Sequence, residues 1–126
     1  MKGENNMAEF NIDFFNEERL LKENQEVQKM VNVYMEALGL KPELKGFAYL
    51  SDIMTLSLVR KKYSRTTIAE LTPFIAWKYG IKPFSVQRQL RYTCTLQTKG
   101  KYIVNTVAEK VWQQLKPKID EEREEQ

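Results

Sequence analysis

Histidine does not occur in this chain, and cysteine occurs once, as Cys94. The first absence removes the commonest general base, the commonest zinc ligand and any Ser-His or Cys-His nucleophile pair. A lone thiol forms no intrachain disulfide and builds no cysteine-rich metal site, so Cys94 is expected to pack as a small hydrophobe. The loops GxxxxGK[ST] and GxGxxG are missing, and so is an acidic metal loop. The expectation is a protein that is not an enzyme and needs no cofactor and no metal. Long apolar runs are missing too: IVNTVAEKVW and FIAW are interrupted well before the roughly 20 residues of a membrane span. The opening MKGENNMAEFNIDFF has acids where a secretory leader has a basic start and an apolar stretch. A cytoplasmic location without membrane contact follows as the expectation.

What is present is charge, unevenly placed. The chain has 126 residues, 42% hydrophobic and 29% charged, enough for one domain with a single core. Its net charge of +3 conceals three zones. Residues 1–40 carry 4 basic and 8 acidic side chains, residues 41–118 carry 15 and 4, and residues 119–126 carry 1 and 5. A basic middle between acidic ends suits a body that binds a polyanion, and equally suits a helical domain kept in solution by its lysines.

Apolar spacing predicts an all-α protein, a compact bundle of about five helices. Residues 1–23 show no sustained period and read as a flexible acidic arm, with Phe14 and Phe15 as its anchor. Val27, Met30, Val31, Tyr34, Met35 and Leu38 mark a helix over about 24–38, closed by Gly39. A second helix is expected from about Gly46 to Tyr63, its cationic end formed by Arg60, Lys61 and Lys62. Thr66 and Thr67 are candidate N-caps for a third, with Glu70 at the capping-box spacing from Thr67. Pro73 is expected to kink it or split it in two before Tyr79. Pro83 opens a fourth helix to about Gln97, with Val86, Leu90 and either Thr93 or Cys94 inward. A turn at Lys99 and Gly100 leads to a last helix over about 102–115, which buries Ile103, Val107, Val111, Trp112 and Leu115. The domain is thus bounded at 24–118, with 119–126 an acidic tail.

Ala76, Gly80 and Val86 stand at the offsets of a helix-turn-helix, which needs a small residue in the first helix, a glycine at the turn and a branched apolar residue in the second. The second helix, about 83–97, would then lie in a DNA major groove. Lys82, Ser85, Gln87, Arg88 and Arg91 are the candidates for base contact. Arginine bonds bidentately to guanine O6 and N7 and glutamine to adenine, which makes Arg88 the leading reader. Lys78, Tyr92, Lys99 and Lys101 are candidates for phosphate contact. Trp77, Trp112 and Tyr49 sit at core spacing and are expected to pack. The same spacing of small and apolar residues also occurs in helix pairs that bind no DNA, so a protein-interaction module stands as the alternative.

The segments LGLKPELKGFAYLSDIM, LTPFIAWKYGIKPFSVQRQLRYT and YIVNTVAEKVW resemble the C-terminal effector domain of stage zero sporulation protein A over about residues 30–114. The likeness is sharpest in Lys45-Gly46-Phe47, in Tyr49-Leu50 and in the Val86, Arg88, Arg91 pattern. The resemblance implies an all-helical bacterial transcription regulator, nucleoid-associated when bound, whose helix-turn-helix reads a short box on double-stranded DNA in paired or tandem copies. It implies that Arg88 and Arg91 contact DNA, with a homodimer and a partner in the transcription machinery as further expectations. Ser85 and Gln87 depart from the family, which has a basic and an acidic residue there. The receiver domain that precedes the family's effector module is not in this sequence. The link before the last helix is shorter than the family's, which carries an added helix that engages RNA polymerase. A regulator acting by occupancy, or an antagonist of a related regulator that has lost DNA binding, remains compatible with these departures.

Overall fold

Residues 46–58 have no continuous polar side, and a helix apolar all round must be enclosed by others. The computed structural model describes residues 13–97 and 103–124, and these form six helices, one more than the sequence predicts. They are α1 (Phe14–Glu23), α2 (Gln25–Ala37), α3 (Lys45–Arg60), α4 (Thr67–Tyr79), α5 (Pro83–Gln97) and α6 (Val104–Glu124). No strand occurs among the described residues, and the all-α expectation holds. The axis is α3, which touches each of the other five helices. Its Leu50, Ile53, Met54 and Leu56 have no exposed surface, and burial of each such side chain contributes about 1.5–3 kcal/mol.

The additional helix is α1. The sequence places residues 14–23 in a loosely docked arm, yet they form a helix capped by Asp13, whose Oδ1 accepts the Asn16 N–H at 3.1 Å. Leu21 enters the core, and Glu17 is fully buried with its carboxylate on the Arg60 guanidinium of α3. The apolar stripe of this helix carries a carboxylate at its centre, and that charge broke the pattern. At the other end, α6 continues past Leu115 to Glu124 and buries Ile119, so the segment expected as an acidic tail is helical to 124. Ile103 is a correction of the opposite kind: expected in the core, it lies ahead of α6 and is 63% exposed. Val107, Val111 and Leu115 carry the buried stripe without it. The turn expected at Lys99 and Gly100 lies outside the described residues.

Pro73 neither splits nor ends α4, and Pro117 is likewise carried inside α6. A proline leaves the carbonyl four residues back without its N–H donor. Those carbonyls belong to Ala69 and Gln113, both exposed residues, so the lost bond lies on the solvent side of each helix. The start of α4 also differs in detail from a Thr67–Glu70 capping box. Thr66 holds the cap position and its hydroxyl meets Glu70 Oε1 at 3.0 Å, while Thr67 Oγ1 accepts the Ser64 N–H at 2.8 Å.

Gly46, in the first turn of α3, is where α5 crosses. A Cβ built there would overlap the Gln89 carbonyl oxygen and the Thr93 side chain of α5. The two backbones approach this closely only because no side chain intervenes. Gly46→Ala is therefore expected to lower stability by about 1–3 kcal/mol through forced separation of α3 and α5. A urea titration reads this as a lower midpoint at unchanged slope. An unchanged midpoint would show that the crossing is looser than described.

Candidate nucleic-acid interface

Tyr79 is the last residue of α4, and the chain turns sharply at Gly80, whose φ of +66° lies in the left-handed region. The Ile81 N–H closes the turn on the Ala76 carbonyl at 3.0 Å. Lys82 then accepts at its own carbonyl from Ser85 and Val86, at 2.9 and 3.2 Å, and Pro83 begins α5. Ala76 and Val86 are both buried, so the small residue and the branched one lie on the inner sides of this helix pair.

At about 100° per residue, α5 has a clear inside and outside. Val86, Leu90, Thr93 and Cys94 are each at most 1% exposed and form the inside. Both Thr93 and Cys94 point in, where the sequence left a choice of one. Directly opposite run Phe84, Arg88, Arg91 and Thr95, spaced four, three and four apart, on one stripe. Arg88 and Arg91 are exposed, and no carboxylate pairs with either among the described residues. Arg88, Arg91, Tyr92 and Thr95 border a shallow hollow of about 370 Å³ on this face.

The other candidate residues are placed unequally. Lys82 and Gln87 are exposed, Ser85 is half-buried, and Tyr92 is 51% exposed on the flank of the stripe. Lys99 and Lys101 lie outside the described residues. Lys78 is turned inward, with its Nζ 2.7 Å from Asp52 Oδ2. Asp52 is buried in α3 and also accepts from the Tyr79 hydroxyl at 2.7 Å and from Gln28 Nε2 at 2.6 Å. Burial, and then the adjacent Asp52 carboxylate, push the Tyr79 phenol well above its ordinary range, so it remains a donor. One carboxylate thus joins α2, α3 and the end of α4 that leads into the turn. Of the aromatics expected to pack, Tyr49 is buried and Trp112 stacks on Tyr63 at 5.5 Å. Trp77 is 40% exposed, although its ring lies against Phe14, Phe15 and Phe74.

Three residues on or beside this face escaped the sequence reading. Arg65, just ahead of α4, and Asn105, at the start of α6, line a cleft of about 220 Å³ together with Gln87 and Arg91. Only the fold brings them together, because Arg65 and Asn105 are far from α5 in sequence. Phe84 was within reach: its position four residues before Arg88 places it on the outer stripe. Its ring lies 5.9 Å from the Arg88 guanidinium and is 66% exposed. Asp52→Ala would leave the Lys78 ammonium and two further donors without their acceptor, and is expected to cost about 2–3 kcal/mol, discounted because Lys78 is partly exposed. On the inner side of α5, burial pushes the Cys94 thiol up to about 12. Cys94 is accordingly expected to resist Ellman's reagent at pH 8 in the native state and to react on unfolding, whereas rapid native labelling would mean that α5 lifts off its bed.

The family model described as sporulation initiation factor Spo0A C terminal matches residues 31–122. No curated protein and no solved structure matches the chain.

Proposed function

This chain belongs to the sporulation initiation factor Spo0A C-terminal family, the DNA-binding effector domain of a sporulation transcription factor, and from that premise we propose that it is a sequence-specific regulator of transcription. In this reading α4 and α5 form a helix-turn-helix and α5 is the recognition helix, lying in the major groove of double-stranded DNA. The observation that carries it is the division of α5: Val86 and Leu90 are sealed into the core, while Arg88 and Arg91 stand exposed with no carboxylate partner among the described residues.

Arg88, at the centre of the stripe, is assigned to a guanine through O6 and N7. Arg91 is one turn further along, and Gln87 flanks the stripe on the side of the cleft shared with Arg65. Lys82, ahead of the helix, and Tyr92 are placed for phosphates, which set register without carrying sequence information. Lys78 is given no DNA contact, because its charge is spent on Asp52. Ser85 is half-buried and reaches a base edge only at the margin of the contact. The reading needs neither a metal nor a cofactor, and the protein acts as a binding domain. Adjacent copies on one face of a duplex would lie about 10 base pairs apart, one helical turn.

Selection from a random duplex pool followed by titration tests the proposal. Arg88→Ala is expected to cost about 1–3 kcal/mol on the selected site with little effect on bulk DNA, and to relax the preference at one base pair. Lys82→Ala is expected to weaken all duplexes alike and to reduce the slope of log Kd against log salt by about 0.9. If no duplex is retained at low salt, the proposal fails, and capture of a protein partner that tolerates loss of both arginines would put an interaction module in its place.

A further inference from the structure

We infer that Phe84 is a base-reading residue, its ring receiving the C5-methyl group of a thymine close to the guanine contacted by Arg88. The inference rests on the reading of α5 as the recognition helix and adds a second, apolar determinant to it.

Three observations lead to it. Phe84 is an aromatic residue 66% exposed on the same outward stripe as Arg88 and Arg91, and unlike Tyr92 on the flank it carries no polar group. A single exposed hydrophobe needs no explanation by itself, but this one occupies the first turn of α5. The N-terminal residues of a recognition helix are those that approach base edges most closely. The third observation is the pairing with arginine. The Arg88 guanidinium lies over the Phe84 ring, 5.9 Å from its centroid, so the ring and the hydrogen-bonding fork form one surface with an apolar part and a polar part.

The groove chemistry then narrows the partner. Each base pair presents donors and acceptors in the major groove, and the only apolar feature there is the thymine C5-methyl. A phenyl ring forms no hydrogen bonds to an edge, so the methyl is the one feature by which it distinguishes a base. Four residues of helix span about 6 Å, less than two base-pair steps of about 3.4 Å, which places the methyl within two base pairs of the guanine. Cytosine at that position has only a C5 hydrogen where thymine has its methyl, so the ring loses the contact.

Deoxyuridine provides the test, because it keeps thymine's pairing and deletes only the methyl. Each thymine of the selected site is replaced in turn, and Kd is measured for the wild-type chain, for Phe84→Ala and for Arg88→Ala. The wild type is expected to bind about fourfold more weakly when one particular thymine, within two base pairs of the guanine, is replaced. Phe84→Ala is expected to bind the thymine and deoxyuridine forms equally, and to keep its thermal midpoint because the side chain is exposed. Wild-type indifference to every replacement overturns the inference, as does full methyl discrimination by Phe84→Ala. In either case a selected site still weakened by Arg88→Ala leaves the recognition-helix reading standing. Failure of the wild type to bind any duplex removes both.

Discussion

Gly46 has no room for a side chain, and that constraint decides where α5 can lie. Backbone meets backbone at this crossing, so α5 is seated on the axis of the core rather than on a cushion of side chains. Once seated, helical geometry does the rest. The positions that face the core are Val86, Leu90, Thr93 and Cys94, and those half a turn away necessarily face out. The outward face of α5 is therefore not an independent feature added to a bundle. It is the far side of a packing contact, and its direction is as fixed as that contact.

Electrostatics separates structural charge from charge available to a ligand. Asp52 collects the Lys78 ammonium, the Tyr79 hydroxyl and the Gln28 amide, and Glu17 meets Arg60. Lys61 and Lys116 both approach Asp120 in α6. Of these three acids only Asp52 lies in the basic middle of the sequence, and the acidic ends supply Glu17 and Asp120. Among the described residues, Arg65, Lys82, Arg88 and Arg91 lie on or beside α5 without an ion pair, as do lysines elsewhere on the surface, Lys22, Lys29 and Lys41 among them. Burial raises the cost of stranding Asp52 and Glu17, so their pairings are stable rather than incidental.

Much of this was legible in the sequence, and what was not has physical causes. The 3.6-residue period located α2, α3 and α5 to within a few residues, and Gly80 followed by Pro83 fixed the turn between α4 and α5, because few residues tolerate that backbone. The α1 helix was hidden by Glu17, since a carboxylate on an apolar stripe reads as solvent until its partner, 43 positions away, is known. The inward turn of Lys78 was hidden for the same reason, as Asp52 belongs to a different helix. Ile103 misled because an apolar residue at the edge of a periodic segment continues the pattern without having to continue the packing. Phe84 is legible only by its offset from Arg88, because an apolar side chain at an outward position gives no polar signal of contact.

The packing of α1 against α4 has a practical corollary for spectroscopy. Trp77 stands three residues before the turn, with the Phe14 and Phe15 rings of α1 at 5.4 and 5.3 Å from its own. Its indole is partly in water and partly shielded by a neighbouring segment, the condition in which emission wavelength and quenching respond most to small displacements. The second tryptophan, Trp112, is stacked on Tyr63 at a different contact and supplies a steady background. The domain thus carries an intrinsic fluorophore at the junction between its N-terminal helix and the helix that leads to α5, and undocking of one from the other is visible as a colour change without any label.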